Sequence, residues 1–410
     1  MLVVHKYGGT SVGNLDKIRN VAEKVLTYKN QGNDMVVVVS AMTGETDKLL
    51  KLAAGISNFP DERETDVLIS TGEQVTSALL AMTFKEMGTD AVSLQGSQIR
   101  IKTDSAFGKA RIEEIDDTKI RAELKKGRIV VVPGFQGVDD EGNITTLGRG
   151  GSDTTAVAVA AAIKADLCEI YTDVDGVYTT DPNITDKARR LDQVSYDEML
   201  EMASLGAKVL QTRSVEMAKK FKVPLMVKSS FTDGKGTLVC EEVTTVEQVV
   251  ISGVTYNKNE AKITLMEVPD QPGTATKVFA PLAEAGIVVD MIVQNVSHKG
   301  HTDITFTVGK ADAKRAHKIM DKVASKVGAQ QIAVDESIAK VSIVGSGMRS
   351  HAGVAAKMFQ ILSDEGVNIQ MISTSEIKIS CVVDEKYGEL AVRVLHTGFG
   401  LDAKEVEEEK

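Results

Sequence analysis

Residues 2–14 read LVVHKYGGTSVGN, and this stretch decides the fold. Leu2, Val3 and Val4 open a strand, Lys6 stands near its carboxyl end, and Gly8–Gly9 follow as a turn almost without side chains. Its plainest role is a βα turn that uses glycine for backbone freedom. Such a turn also makes a phosphate cradle, because glycines let backbone N–H groups approach an anion and a following helix adds its positive end. A lysine fixed on the strand then aims a point charge into the same space. The lysine precedes the glycines, so this is not a Walker A loop.

Outward from this turn, β-rich runs recur at 35–40, 129–133, 168–172 and 225–229. Between them lie helical stretches such as TGEQVTSALLAMTFKEMG and DTTAVAVAAAIKAD. The uninterrupted runs VVVV and IVVV suit strands buried on both faces, as in a parallel sheet covered by helices. The expected fold is α/β, a three-layer αβα domain with a mostly parallel central sheet over 1–245, whose ligands bind beyond the carboxyl ends of the strands. Residues 233–248 read as the passage out of it. Beyond it, 262–292 and 340–372 form an internal repeat. Gly273, Phe279, Leu282, Gly286, Met291 and Ile292 match Gly353, Phe359, Leu362, Gly366, Met371 and Ile372. Each copy reads as a ferredoxin-like unit, βαββα with a fourth strand to find. For the first copy that strand is QQIAVDE. For the second it is the orphan stretch 247–254, so that 246–410 holds two interleaved units, about 262–336 and 339–400 with strand 247–254.

The chain has 410 residues, 42% hydrophobic and 26% charged, with net charge −10. That charge argues against nucleic acid as the main partner. No run approaches a membrane span and the N-terminus lacks a signal-peptide layout, so the cytoplasm is expected. Three scattered cysteines, Cys168, Cys240 and Cys381, make neither a zinc site nor a disulfide framework.

A second glycine turn, TTLGRGGSDTTA (145–156), sets Arg149 among Gly148, Gly150 and Gly151, with Ser152 or Asp153 placed to cap the next helix. An arginine there is the best fork for a carboxylate. Two glycine turns before helices, each with a cation, suggest a cleft for a nucleotide and an anionic substrate. YTDVDGVYTTDP (171–182) lacks the glycine spacing of a calcium loop and suits a nucleotide-holding one. STGEQ (70–74) reads as the first turn of a helix, a favourable place for the charge of Glu73. HKGH (298–301) reads as a hairpin turn, and Met199 and Met202 as core. No metal site made of protein side chains is expected.

KYGGTSVG, TTLGRGGSDTTA, YTDVDGVYTTDP, SYDEMLEMASLGAKVL and VPLMVKSSF together resemble the aspartate kinases of the amino-acid kinase superfamily, and the repeats resemble their paired ACT domains. The resemblance implies ATP- and Mg²⁺-dependent phosphorylation of the β-carboxylate of L-aspartate, the first step of lysine, threonine and methionine biosynthesis. It implies catalytic roles for Lys6 and Asp153. It implies ATP contacts from Lys6, Tyr7, Gly8, Gly9, Thr10, Ser11, Thr172, Asp173, Tyr178, Asp181, Lys208 and Val209. Aspartate would meet Ser40, Thr46, Glu73, Arg149, Gly150, Gly151 and Ser152. Feedback effectors, lysine and/or threonine, would meet Asp270, Pro272, Gly273, Thr274, Ala275 and Gln294 in the first ACT unit, and Asn368, Ile369, Ser375 and Glu376 in the second. A homo-oligomer through the ACT domains, or a hetero-oligomer with an ACT-only subunit, is also implied. The chain departs from the family at Asn183, where arginine is common, and at Gln211-Thr212-Arg213, where His-Pro-Arg is common. A glutamate or acetylglutamate kinase, or an inactive amino-acid sensor, are the alternative readings.

Overall fold

The computed structural model describes residues 1–204, 209–241, 250–295 and 300–403. It divides into two compact units. The first comprises Met1–Val177, Arg190–Ser204 and the described residues from 209 to 241; the second takes Tyr178–Arg189 and the described residues from 250 on. The boundary near 245 therefore needs an addition, because an excursion inside the sequence of the first unit clusters with the second.

In the first unit the strands are β1 (Leu2–Tyr7), β2 (Asp34–Val39), β3 (Ala91–Ser93), β4 (Ile101–Thr103), β5 (Ile112–Ile115), β6 (Ile129–Pro133), β7 (Gln136–Val138), β8 (Ile144–Thr146), β9 (Leu167–Thr172), β10 (Gln193–Ser195), β11 (Leu225–Ser229) and β12 (Thr237–Cys240). Its helices are α1 (Leu15–Asn30), α2 (Glu45–Ile56), α3 (Glu62–Glu86), α4 (Thr118–Lys125), α5 (Gly151–Ile163), α6 (Tyr196–Ser204) and α7 (Thr212–Phe221). Eight strands form one sheet in the order β10-β12-β11-β9-β1-β2-β6-β3, parallel throughout except for the β11–β12 pair. Part of the supposed linker, Thr237–Cys240, is thus a strand of this sheet, set between β10 and β11.

Alternation along β1 assigns the faces. Val3 and Tyr7 join Ile18, Val21 and Val25 of α1 and Leu80 and Phe84 of α3 in one core. Lys6 turns to the opposite face, toward α5, whose residues are almost all buried. That burial explains why DTTAVAVAAAI is apolar on every side. A small sheet, β5-β4-β7-β8, was not foreseen; it ends at Thr146, where the second glycine turn starts. Met199 and Met202 are buried, as expected.

The second unit contains β13 (Gly253–Asn257), β14 (Glu260–Pro269), β15 (Val289–Gln294), β16 (His301–Gly309), β17 (Gln331–Asp335), β18 (Ile338–Val344), β19 (Met371–Thr374) and β20 (Lys378–Asp384), with helices α8 (Thr274–Glu284), α9 (Lys310–Val327), α10 (Val354–Asp364) and α11 (Gly388–Gly398). Two antiparallel sheets result, β15-β16-β14-β17 and β13-β18-β20-β19. The strand that completes the second sheet is Gly253–Asn257, later in the chain than 247–254. Residues 247–249 lie outside the described residues, as do His298 and Lys299 of the HKGH turn. Met291 and Val293 pack with Ile338, Met371 and Val382 in a small cluster spanning the two sheets. Each repeat starts its first helix the same way, with Gly273 at φ 88° and Gly353 at φ 92° as N-caps. The left-handed backbone required there explains why glycine stands at both places.

The excursion is tied into the second unit by specific bonds. The Val254 amide donates to the Thr179 carbonyl at 2.7 Å, Thr179 Oγ1 and His396 Nε2 share a 2.8 Å hydrogen bond, and Arg189 Nε donates to the Leu401 carbonyl at 2.6 Å. Ile184 packs against the core of the β13-β18-β20-β19 sheet.

Candidate active site

The carboxyl ends of β1, β2, β6 and β9 converge, being parallel neighbours in register. Lys6 Nζ lies 2.6 Å from Asp153 Oδ1, and both side chains are about nine-tenths buried. Asp153 sits in the first turn of α5 and does not cap that helix; nor does Ser152. The N-cap is Gly150, at φ 68°, which leaves the carboxylate to the lysine. A Cβ on Gly8 would stand 3.5 Å from Lys6 Nζ, and one on Gly9 would be 2.8 Å from the Ala41 carbonyl oxygen. The glycines thus keep the space beside the lysine open and let two loops touch.

The first glycine turn does not lead straight into a helix. Gly9–Ser11 form one 3₁₀ turn, and α1 starts only at Leu15, with Asn14 Oδ1 accepting from the Lys17 amide at 2.9 Å. Any cradle here is the turn itself and not the end of α1, because Asn14 already serves that end. Two side chains expected in the cleft are committed elsewhere. Tyr7 is fully buried in the α1–α3 core, stacked on Tyr171 at 4.6 Å, since strand alternation turns it away from Lys6. Ser11 Oγ is 2.5 Å from Ser230 Oγ, which joins the turn to the end of β11. Thr10 is exposed.

Glu73 also needs correction. It is in the middle of α3, not its first turn, so no helix end favours its charge. It is 4% exposed; Oε1 accepts from the Ala41 amide at 3.1 Å, while Oε2 is buried with no partner. Burial raises its pKa to about 7, with the Ala41 hydrogen bond opposing. An unpartnered buried carboxylate oxygen is an acceptor waiting for a cation.

Arg149 projects, exposed, from the turn between Gly148 and Gly150, and among the described residues it pairs with no carboxylate. Ser152 lies against Gly134, where a Cβ would come within 2.7 Å of the Ser152 side chain. Gly151 is equally tight against Phe135, itself left-handed at φ 70°. The Gly134–Phe135 bend went unnoticed in the sequence; its position just after IVVVP, a strand parallel to β1, was the available signal. Ser40 follows β2, its amide bonded to the Tyr7 carbonyl, and Thr46 stands in the first turn of α2. Thr172 ends β9 and its Oγ1 donates to Asp173 at 3.0 Å. Val209 is part-exposed and Lys208 lies outside the described residues. Tyr178 and Asp181 fall on the excursion assigned to the second unit. There the Asp181 carboxylate accepts from the Asn183 amide at 2.8 Å, so it serves its own turn. Among the described residues no group of three or more His, Cys, Asp or Glu could hold a metal.

Beneath the site, on the α1 face, Glu169 is buried between His5, at 3.0 Å, and Lys228, at 2.7 Å. Burial alone would raise its pKa, but hydrogen bonds from His5 and Lys228 hold it at about 2. His5, fully buried, is lowered by desolvation.

In the second unit, Ser375 and Glu376 line a cavity of about 490 Å³ with Gly353, Val354 and His351. Asn368 and Ile369 do not line it. Asp270, Pro272, Gly273 and Ala275 are exposed at the entry to α8, where Thr274 is buried, and Gln294 ends β15.

The amino acid kinase family profile matches residues 1–229, and an ACT domain profile matches 266–323 and 341–399. The chain is 60% identical over 405 residues to an aspartate kinase of Pseudomonas fluorescens SBW25, covering 98% of each. It is 50% identical over 406 residues to an aspartokinase of Helicobacter pylori 26695, covering 98% of this chain and all of that one. Escherichia coli aspartokinase III, solved in its R-state with aspartate and ADP, superposes with a TM-score of 0.80 at 27% identity over 97% of this chain and 99% of its own. Its T-state complex with lysine and aspartate gives 0.78 at 28% identity, with the same coverage.

Proposed function

The chain belongs to the aspartate kinases of the amino acid kinase family, and from this we propose that it moves the γ-phosphoryl group of ATP to the β-carboxylate of L-aspartate in the cleft around Lys6 and Asp153. A β-carboxylate is ionised near neutrality, so no general base is needed. A carboxylate oxygen attacks the γ-phosphorus, the bond to the β,γ-bridging oxygen breaks, and ADP leaves with that electron pair. No proton moves. The obstacle is repulsion between anions, which positioned cations relieve.

The observation that carries this reading is the buried Lys6–Asp153 pair between two glycine turns. Asp153 holds the ammonium of Lys6 in place, and Lys6 neutralises the transferring group. Gly8, Gly9 and Thr10 face the phosphates, with Thr172 and Asp173 at the end of β9. Arg149 takes the α-carboxylate of aspartate, Glu73 Oε2 accepts from its ammonium, and Ser40, Thr46, Gly150, Gly151 and Ser152 complete the pocket. Mg²⁺ would shield the phosphate charge. With no protein cluster to hold it among the described residues, it would arrive with the nucleotide.

Lysine, with threonine, would act on the ACT units through the turns opened by Gly273 and Gly353 and through Ser375 and Glu376. Assembly of copies through these units, or with an ACT-only subunit, and a cytoplasmic location complete the proposal. The test is ATP turnover with L-aspartate, trapping the acyl phosphate with hydroxylamine, and titration with lysine and threonine separately and together. Aspartyl hydroxamate is expected. Its absence, or a preference for glutamate, refutes the assignment.

A further inference from the structure

Asp66 of α3 and Arg213 of α7 have no role in the chemistry above, yet both close on the turn that carries Arg149. Asp66 is fully buried. Its Oδ2 accepts from the Thr146 amide at 2.7 Å and the Gly108 amide at 2.9 Å, and its Oδ1 accepts from the Thr146 hydroxyl at 2.7 Å. Among the described residues no cation pairs with it. Burying a carboxylate against neutral donors alone costs desolvation that an apolar residue would avoid, so packing does not explain it. On the far side, Arg213 Nη1 donates to the Leu147 carbonyl at 2.7 Å and Nη2 to the Ala110 carbonyl at 2.9 Å. The Ala110 amide donates to the Thr146 carbonyl at 2.9 Å, which closes a ring of bonds through 108–110 and 146–147. A Cβ on Gly148 would stand 3.1 Å from the Gly108 carbonyl oxygen, so the two strips lie in contact.

We propose that Asp66 and Arg213 are positioning residues that clamp the 145–151 turn from opposite sides and thereby set the place of Arg149 relative to Glu73. Asp66 precedes Glu73 by seven residues on the same helix, two turns along one face. The helix that supplies the carboxylate for the ammonium therefore also anchors the turn that supplies the arginine for the α-carboxylate. Arg213 acts from α7, whose N-cap Gln211 covers Gly150 so closely that a Cβ there would lie 1.7 Å from Gln211 Cγ. The turn is held at Thr146, Leu147 and Gly150, and Arg149 alone projects. A one-ångström misplacement of a binding group costs on the order of a hundredfold in rate, which gives such a clamp its purpose.

This inference rests on the aspartate-binding reading of that turn, and the experiment separates the two. Full-length Asp66→Asn, Arg213→Ala, Arg213→Lys and Thr146→Val are compared with wild type for kcat, KM for aspartate, KM for ATP and Tm. Asp66→Asn and Arg213→Ala should raise KM for aspartate about tenfold or more while KM for ATP stays within about twofold. Arg213→Lys should recover part of the loss, since one ammonium reaches only one carbonyl. Equal rises in both KM values, or a fall in Tm with KM for aspartate unchanged, overturn the clamp. Should the harsher variants fail to fold, Arg213→Lys and Thr146→Val decide it: an unchanged KM for aspartate in both refutes it. A wild type that does not phosphorylate aspartate refutes the underlying assignment instead.

Discussion

Glu73 makes aspartate binding depend on pH in a way that can be worked out beforehand. Its carboxyl is raised to about 7 by burial, and only the ionised form can hold the ammonium of aspartate. Aspartate itself keeps its charges across the range around neutrality. With a pKa of about 7, Glu73 is about nine-tenths ionised at about pH 8 and about one-tenth at about pH 6. The kcat/KM for aspartate should therefore fall about tenfold between those values, with the loss mostly in KM. The perturbation is Glu73→Gln, assayed without effectors by coupled ADP release, which should be poor at every pH and flat across this range. Stability gives a second arm. A carboxyl raised in the folded state stabilises fully below about 4.5 and loses that contribution as pH rises through about 7. The move from 4.5 to about 7 corresponds to about 3 kcal/mol. Glu73→Gln should thus unfold at higher denaturant than wild type at about pH 8. A flat wild-type profile, or a variant that keeps the wild-type slope, refutes the reasoning.

Three other predictions follow from named contacts. Lys6→Ala removes the cation paired with Asp153 and should lower kcat by at least about a hundredfold with the fold kept, measured by steady-state kinetics and circular dichroism; near-normal kcat would exclude charge neutralisation by Lys6. Lys228→Met strips the lysine cation from buried Glu169 and should cost about 3 kcal/mol in urea unfolding, because the carboxylate is left with His5 and the Tyr28 and Tyr171 hydroxyls; a loss below about 1 kcal/mol would mean that those three partners suffice. His396 is buried against Thr179, with Asp402, Arg189 and Lys187 as the charges around it, and its pKa is lowered chiefly by burial. Its neutral form stabilises fully above about pH 6.5, and that contribution is lost as pH falls through 6.5 toward the lower folded value. The unfolding midpoint should drop on acidification, less so in His396→Gln; identical pH profiles would contradict this.

Local pattern made much of the architecture legible. Continuous valine runs announced strands covered on both faces, and β2 and β6 are those strands. The spacing of the repeat disclosed two similar units, down to the paired glycines at 273 and 353. What misled was local context without its neighbours. STGEQ looked like a helix start, but Asp61 caps α3 and its first residue is Glu62, so Glu73 falls mid-helix. Tyr7 adjoins Lys6 in sequence yet faces the opposite way, because strand side chains alternate. The excursion Tyr178–Arg189 carries no compositional mark of its attachment to the second unit.

The sequence by itself determined where the central strands of the first unit, the two glycine turns and the repeats lie, because these depend on backbone conformation and periodic burial within a few residues. Tertiary structure alone decided that Glu73 keeps an unpartnered oxygen, that Asp153 meets Lys6, and that Asp66 and Arg213 grip one turn from two sides. Each of those depends on desolvation or on a bond between residues far apart in the chain, and no short window of sequence contains both partners.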